Sequence, residues 1–345
     1  MKKKVLIAMS GGVDSSLAAY CLLEKGYDVR GIFMRFSSSN GPGGLEKTRA
    51  VTARLKMPLA ILDVRDDFKN QVIEYFHREY VTGRTPNPCV VCNQKMKFKY
   101  LLAKAEELNA DYISTGHYAK VEYDSDQKRF VLKQGIDRAK DQSYMLFSLD
   151  RRWLGRIIFP LGSYVKDKIR DLARELKLEN YNSPDSQDVC FANGDYRNFL
   201  KNTYGEKFSF GPIVNEQGSV LGRHNGISHF TIGQRKGLGI ASGKPLYVTR
   251  LDSERNTVMV GDRKEVSRDE LTADSLNWLM PAGPPFPFRA QVKIRYKHPK
   301  SWATVSKLTK DRLKVKFDLA QLAVTPGQAV VFYDQETVLG GGWIE

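Results

Sequence analysis

The stretch Val5-Leu6-Ile7-Ala8-Met9-Ser10-Gly11-Gly12-Val13-Asp14-Ser15-Ser16 decides the fold. An apolar run over 4–9 has the length of a buried strand, two glycines then permit a tight turn, and 15–25, closed by Gly26, has helical character. Working outward, the pattern predicts a strand over 27–34 and, after the loop 37–44, a helix to about Lys56. A strand over 59–64, helices over 68–80 and 98–108, and a strand over 111–115 follow. This alternation predicts an α/β fold with a doubly wound parallel sheet covered on both faces. Ligands of such sheets sit beyond the carboxyl ends of the strands, where strand order switches.

The turn itself suits an anion. Glycines let the backbone approach closely, and the following helix offers N–H groups and a positive dipole end. Ser10, Ser15 and Ser16 add hydroxyl donors. Asp14 cannot favour bare phosphate, so its expected role is to hold Mg²⁺ or to orient a loop group. No Gly-Lys-Ser/Thr ending is present, which excludes a Walker loop. The bland alternative is a serine-capped turn with no ligand. The turn resembles the pyrophosphate loop of the ATP-pyrophosphatase (PP-loop) enzymes.

The chain has 345 residues, 54 Lys and Arg against 39 Asp and Glu, and a formal charge of +15. That excess predicts a polyanionic partner such as nucleic acid, against a generic solubility charge. No apolar run reaches the roughly 18 residues of a membrane span, and 5–9 is too short for a signal-peptide core. Four cysteines are too few for a disulfide scaffold, and a mature cytoplasmic chain is expected. Cys21 falls in an apolar helical run and is expected in the core.

Texture changes near Asn202. Glycines become frequent and helical periodicity fades, and after a Pro/Gly segment the tail carries alternating runs over 290–296, 303–308, 313–317, 329–333 and 338–343. We expect three domains: a PP-loop catalytic domain over 1–202, a small central β-rich domain over 203–268, and an antiparallel β-barrel over 269–345.

The second informative segment is Gly83-Arg84-Thr85-Pro86-Asn87-Pro88-Cys89-Val90-Val91-Cys92-Asn93, followed by Lys95-Met96-Lys97-Phe98. Two prolines fix the backbone around Asn87 and present Cys89 and Cys92. Between Tyr80 and Ala105 stand five Lys/Arg and no acid, so these thiols are expected to ionise easily. A third thiol ends Ser183-Pro184-Asp185-Ser186-Gln187-Asp188-Val189-Cys190.

With these segments, and with Ser114-Thr115-Gly116-His117-Tyr118-Ala119, Ala139-Lys140-Asp141-Gln142-Ser143-Tyr144 and His229-Phe230-Thr231-Ile232-Gly233-Gln234-Arg235-Lys236-Gly237-Leu238, the chain resembles the bacterial tRNA-specific 2-thiouridylases (tRNA-uridine 2-sulfurtransferases) nearly end to end. The resemblance implies ATP-dependent 2-thiolation of uridine 34 at the tRNA wobble position. ATP would lie on Ala8, Met9, Ser10, Gly11, Gly12, Val13, Asp14 and Ser15, with Met34 lining the adenine region and Gly116 closing it. The uridine C2 oxygen would attack the α-phosphate, and the adenylated carbon would accept sulfur from a Cys190 persulfide. Cys92 is implied as nucleophile, through a transient Cys92–Cys190 disulfide. Asn87, Pro88 and Cys89 would border the target base. His117, Lys140, Asp141, Gln142, Arg295, Tyr296 and Gln328 would face tRNA. Implied partners are tRNAs accepting Lys, Glu and Gln, and a sulfur donor such as a cysteine desulfurase or relay protein.

Two departures bear on mechanism. Well-known members carry Asp where this chain has Cys89, so an acid/base role there is empty or passes to a thiol. The loop 37–44 is shorter than in many relatives and lacks their cysteine. Cys89, Cys92 and Cys190 together could instead hold an iron–sulfur cluster, with sulfide as donor.

The remaining features are weaker. Ten Lys/Arg and one acid lie between Arg289 and Lys316, and strand alternation would put Lys293, Arg295 and Lys297 in one basic row, or in an exposed solubility surface. His77 reads as packing or surface, and His224 and His229 lack ligand spacing for zinc. Asp185 and Asp188 either tune Cys190 or are plain turn residues. Rival functions are a small-metabolite enzyme with the same loop and a non-catalytic RNA-binding or sulfur-trafficking protein.

Overall fold

The computed structural model describes residues 2–37, 43–176, 178, 189–192, 194–205 and 209–345. Most of the loop 37–44, and Asp185 and Asp188, lie outside them.

Strand β1 (Lys4–Met9) leads through the glycine turn into helix α1 (Val13–Glu24). Then come β2 (Asp28–Arg35), α2 (Gly44–Arg54) and β3 (Leu59–Asp63). Residues 65–81 form one helical rod, α3 (Arg65–Phe68) and α4 (Glu74–Val81) joined by a wider π-type turn over Lys69–Ile73. A second rod runs from α5 (Pro88–Cys92) through a π-type turn, Asn93–Lys97, to α6 (Phe98–Glu107). Strand β4 (Tyr112–Ser114), a hairpin of β5 (Ala119–Asp124) and β6 (Arg129–Gln134), and β7 (Ile157–Ile158) precede α7 (Lys166–Glu175).

The first sheet has the order β3-β2-β1-β4-β7, every pair parallel. Alternation along β1 divides its side chains between two cores. Val5, Ile7 and Met9 pack against α1 and α7, whereas Leu6 joins the cluster holding Phe98, Leu101 and Phe68. This is the doubly wound sheet expected. Strand order reverses between β1 and β4, so the carboxyl end of β1 opens at the switch point.

After α8 (Tyr196–Tyr204) come β8 (Gly211–Val214), β9 (Val220–His224), β10 (Tyr247–Asp252) and β11 (Thr257–Gly261), a small sheet of order β10-β11-β8-β9. The tail supplies β12 (Ser267–Trp278), β13 (Phe288–Lys293), β14 (Ser301–Lys307), β15 (Leu313–Leu322), β16 (Ala329–Asp334) and β17 (Thr337–Ile344). These pair in the order β12-β15-β14-β13-β16-β17, and β12 also pairs with β17, closing an antiparallel barrel around Val292, Val305, Val315 and Phe332. The hairpin β5–β6, from the first half of the chain, extends this sheet beside β17. No local pattern in the sequence announces that pairing.

The basic row does not form. Strand β13 ends at Lys293, which is 7% exposed, and Arg295 and Lys297 lie beyond the strand. Lys293 turns inward toward the negative charge of buried Asp141. His77 is a packing residue whose ring stacks on Tyr204 with centroids 3.7 Å apart. His224 bonds to the Asn256 carbonyl and His229 to the Asn225 side chain. No described helix is long and apolar enough to cross a membrane.

Candidate active site

The glycine turn is braced from within. Gly11 has φ +77, and a Cβ there would lie 2.7 Å from the Gly44 carbonyl, so the start of α2 packs directly on the turn. The Ser15 and Ser16 hydroxyls donate to the Gly12 carbonyl, and Ser10 N–H donates to Ser15 Oγ. These serines hold the turn in shape, whereas the sequence suggested ligand donors. Gly12 caps α1 with no side-chain hydrogen bond, so the first-turn N–H groups face the turn as an anion cradle. Ala8 and Met9 anchor the end of β1, and Val13 buries the start of α1. Met34, 4% exposed, lies in the core beside β1.

Asp14 takes the orienting role. Its carboxylate accepts hydrogen bonds from Lys166 Nζ at 2.7 and 2.9 Å and from Tyr118 Oη at 2.8 Å. Lys166, 5% exposed, also lies 5.7 Å from the Tyr118 ring centroid. Sequence reasoning missed Lys166. It stands 152 residues from Asp14 at the start of a strongly amphipathic helix, where a lysine carries no distinguishing signal.

Gly116 closes the turn from the β4 side. A Cβ on it would sit 2.9 Å from both Asp14 C and Ser15 N, a gap only glycine tolerates. The next residue, His117, donates to or accepts from Thr115 Oγ1 at 2.7 Å and packs between Phe98 and Phe159. Burial, aided by the Lys97 charge, holds its pKa well below the ordinary histidine value, so the ring is neutral. Residues 116–118 thus join the anion turn to the rod that carries the cysteines.

On that rod Asn87 caps α5, its Oδ1 accepting from Val90 N at 3.4 Å, and Pro88 fills the first helical position. Cys89 and Cys92, three residues apart, share one face. Cys190 lies within electrostatic reach of both, on a short segment anchored by Phe191 against Phe68 and Phe76. All four cysteines are free thiols.

The easy ionisation expected of the trio is not found. Cys89 and Cys190 reach the surface and Cys92 is half-buried, yet desolvation by the surrounding protein raises all three. Cys92 is pushed up to about 12, chiefly by burial, with Lys97 opposing. Local sequence charge counted the lysines but not the desolvation. Among the described residues no group of three or more His, Cys, Asp or Glu converges as a metal site. The Asp14 carboxylate is paired with Lys166.

Several residues expected to face tRNA are occupied otherwise. Asp141 is 2% exposed and accepts from Gln134 Nε2, Gly135 N, Ser143 N and Ser143 Oγ, so it is an internal brace. Gln142 Oε1 accepts from Tyr118 N. The Lys140 carbonyl accepts from Tyr296 Oη, and Arg295 Nη1 donates to the Ala323 carbonyl. Gln328 Nε2 donates to the carbonyls of Thr85 and Pro86 at 3.0 and 3.1 Å, tying the barrel to the backbone just before Asn87.

A doubly wound sheet with a serine–glycine turn at its switch point, followed by two β units, defines a protein of the PP-loop class. Family models match in chain order: a tRNA methyl transferase HUP domain over 3–194, a tRNA methyl transferase PRC-barrel domain over 197–262 and an aminomethyltransferase beta-barrel domain over 268–344. A protein named tRNA-specific 2-thiouridylase MnmA from Acetivibrio thermocellus is 44% identical, covering 100% of this chain and 99% of its own. Those of Clostridioides difficile and Carboxydothermus hydrogenoformans are 42% and 45% identical over 100% of this chain and 99% and 98% of theirs. The chain belongs to the tRNA-specific 2-thiouridylase family.

Proposed function

We propose that this protein is an ATP-dependent tRNA-uridine 2-sulfurtransferase that converts uridine 34 to 2-thiouridine. The observation that carries this reading is the bridge at 116–118, which packs Gly116 on the anion turn while His117 reaches the thiol-bearing rod. That bridge supports a reading in which one bound uridine meets both a nucleotide and a thiol.

In this reading residues 1–202 form the catalytic domain, 203–268 a central domain, and 269–345 a barrel that contacts tRNA in the cytoplasm. The turn and α1 hold the ATP phosphates, with Lys166 positioned by Asp14 beside them. The uridine C2 oxygen attacks the α-phosphate and pyrophosphate leaves. The terminal sulfur of a Cys190 persulfide then bonds to C2. Cys92, deprotonated for the step, attacks Cys190 Sγ, and the sulfur–sulfur bond to the transferred atom breaks. Its electrons pass to the new thiocarbonyl as AMP departs, leaving a Cys92–Cys190 disulfide that a cellular thiol must reduce. Asn87, Pro88 and Cys89 would border the base, and Arg295 and Tyr296 would contact tRNA alongside the internal hydrogen bonds they make.

The test is thiolation of unmodified tRNA by purified protein with ATP, Mg²⁺ and a persulfide donor, read as one oxygen-to-sulfur mass change at position 34. Dependence on ATP, Cys92 and Cys190 is expected. Pyrophosphate exchange with a small carbonyl substrate and no tRNA would favour the metabolite enzyme, and tRNA binding without thiolation the non-catalytic reading. Iron and sulfide analysis of anaerobically purified protein tests the cluster route, and stoichiometric iron required for activity would replace the persulfide.

A further inference from the structure

Lys97 is used by none of the assignments above. It is half-buried and forms no ion pair among the described residues. Its Nζ donates to Asn93 Oδ1 at 3.1 Å, and Asn93, 2% exposed, is itself fixed by donating to the Met145 carbonyl at 2.9 Å. The turn between Asn93 and Lys97 is π-type, with Phe98 N–H bonded back to the Asn93 carbonyl. In a regular α-helix a residue five positions on lies about 140° round the axis. A turn bonded five apart brings it back over its partner. Lys97 therefore returns to the face of Cys92. Its charge acts on Cys89, Cys92, Cys190 and His117.

We propose that Lys97, held by Asn93 on the wide turn beside the three thiols, is a further catalytic residue that stabilises negative charge on sulfur during transfer. The role rests on the sulfur-transfer reading. A partly desolvated thiol must become an anion to attack, and a fixed ammonium beside it lowers the cost of that charge in the transition state. The same cation has no part in nucleotide activation, which happens at the glycine turn.

The experiment compares two rates in the same samples: tRNA-dependent pyrophosphate release, and single-turnover sulfur transfer from protein preloaded as the Cys190 persulfide. For Lys97→Met we expect pyrophosphate release within about twofold of wild type and transfer slower by roughly 10- to 100-fold. Alkylation of Cys92 by iodoacetamide at fixed pH should slow in parallel. Lys97→Arg should recover most of the transfer rate, and Lys99→Met, at an exposed lysine two residues on, should behave as wild type. Wild-type transfer in Lys97→Met overturns the proposal. So does equal loss of pyrophosphate release in Lys97→Met and Lys99→Met, which would make the lysine part of a diffuse RNA attraction. If Lys97→Met does not fold, Lys97→Gln is read by the same two rates. Absence of thiolation by the wild-type protein instead removes the underlying reading, a separate outcome.

Discussion

Lys166 Nζ lies 2.7 Å from one oxygen of the Asp14 carboxylate and 2.9 Å from the other, joining the glycine turn to the first residue of α7. The lysine side chain is 7% exposed and the aspartate 36%, so the cation is the more deeply desolvated partner. Removing either charge leaves the other uncompensated at the mouth of the anion cradle.

Lys166→Met should therefore lose pyrophosphate release and about 2 kcal/mol of stability, less than a fully buried pair because Asp14 is partly solvated. Denaturant unfolding and a pyrophosphate assay check this. Asp14→Asn combined with Lys166→Met should regain stability but not turnover, and an active double variant would refute the role given to the pair.

Gly116→Ala places a methyl 2.9 Å from two backbone atoms of the turn. Backbone cannot swing aside as a side-chain end can, so the turn must shift. Overpacking of this kind costs about 1–3 kcal/mol, which predicts ATP affinity about tenfold weaker or worse by calorimetry. Unchanged affinity would show that ATP does not depend on this contact.

The expectation drawn from lysine-rich sequence was a reactive Cys92, and the structure reverses it. An acid whose pKa is raised to about 12 stays protonated at neutral pH, and its thiolate fraction rises about tenfold per pH unit below that value. Alkylation of Cys92 in the free protein should climb from pH 7 to 10 with no plateau, followed by mass spectrometry. A plateau near pH 8 would contradict the burial argument.

Arg295→Ala should weaken tRNA binding and reduce the salt slope of log K by about one, with ATP affinity unchanged. Lys293→Ala should instead destabilise the fold, because Lys293 is packed inside it, 7% exposed. Titration of labelled tRNA at several salt concentrations separates the two.

What the sequence made legible was local. Strand, turn and helix around Ser10–Ser16 follow from apolar runs and glycine, and the barrel strands from period-two alternation. What stayed hidden depends on partners distant in the chain. The β5–β6 hairpin joins β17 across some two hundred residues, and the expected basic row fails because β13 ends at Lys293 and buries it. Cysteine acidity failed for the same reason: neighbours in sequence revealed the cations, but only the folded surroundings revealed the desolvation that opposes them.

Gln328 has one consequence of its own. Because its amide grips two successive carbonyls ahead of Asn87, the barrel and the rod bearing Cys89 and Cys92 cannot shift independently at that seam. Any load placed on the barrel is delivered, like force through a lever, to the backbone beside Asn87.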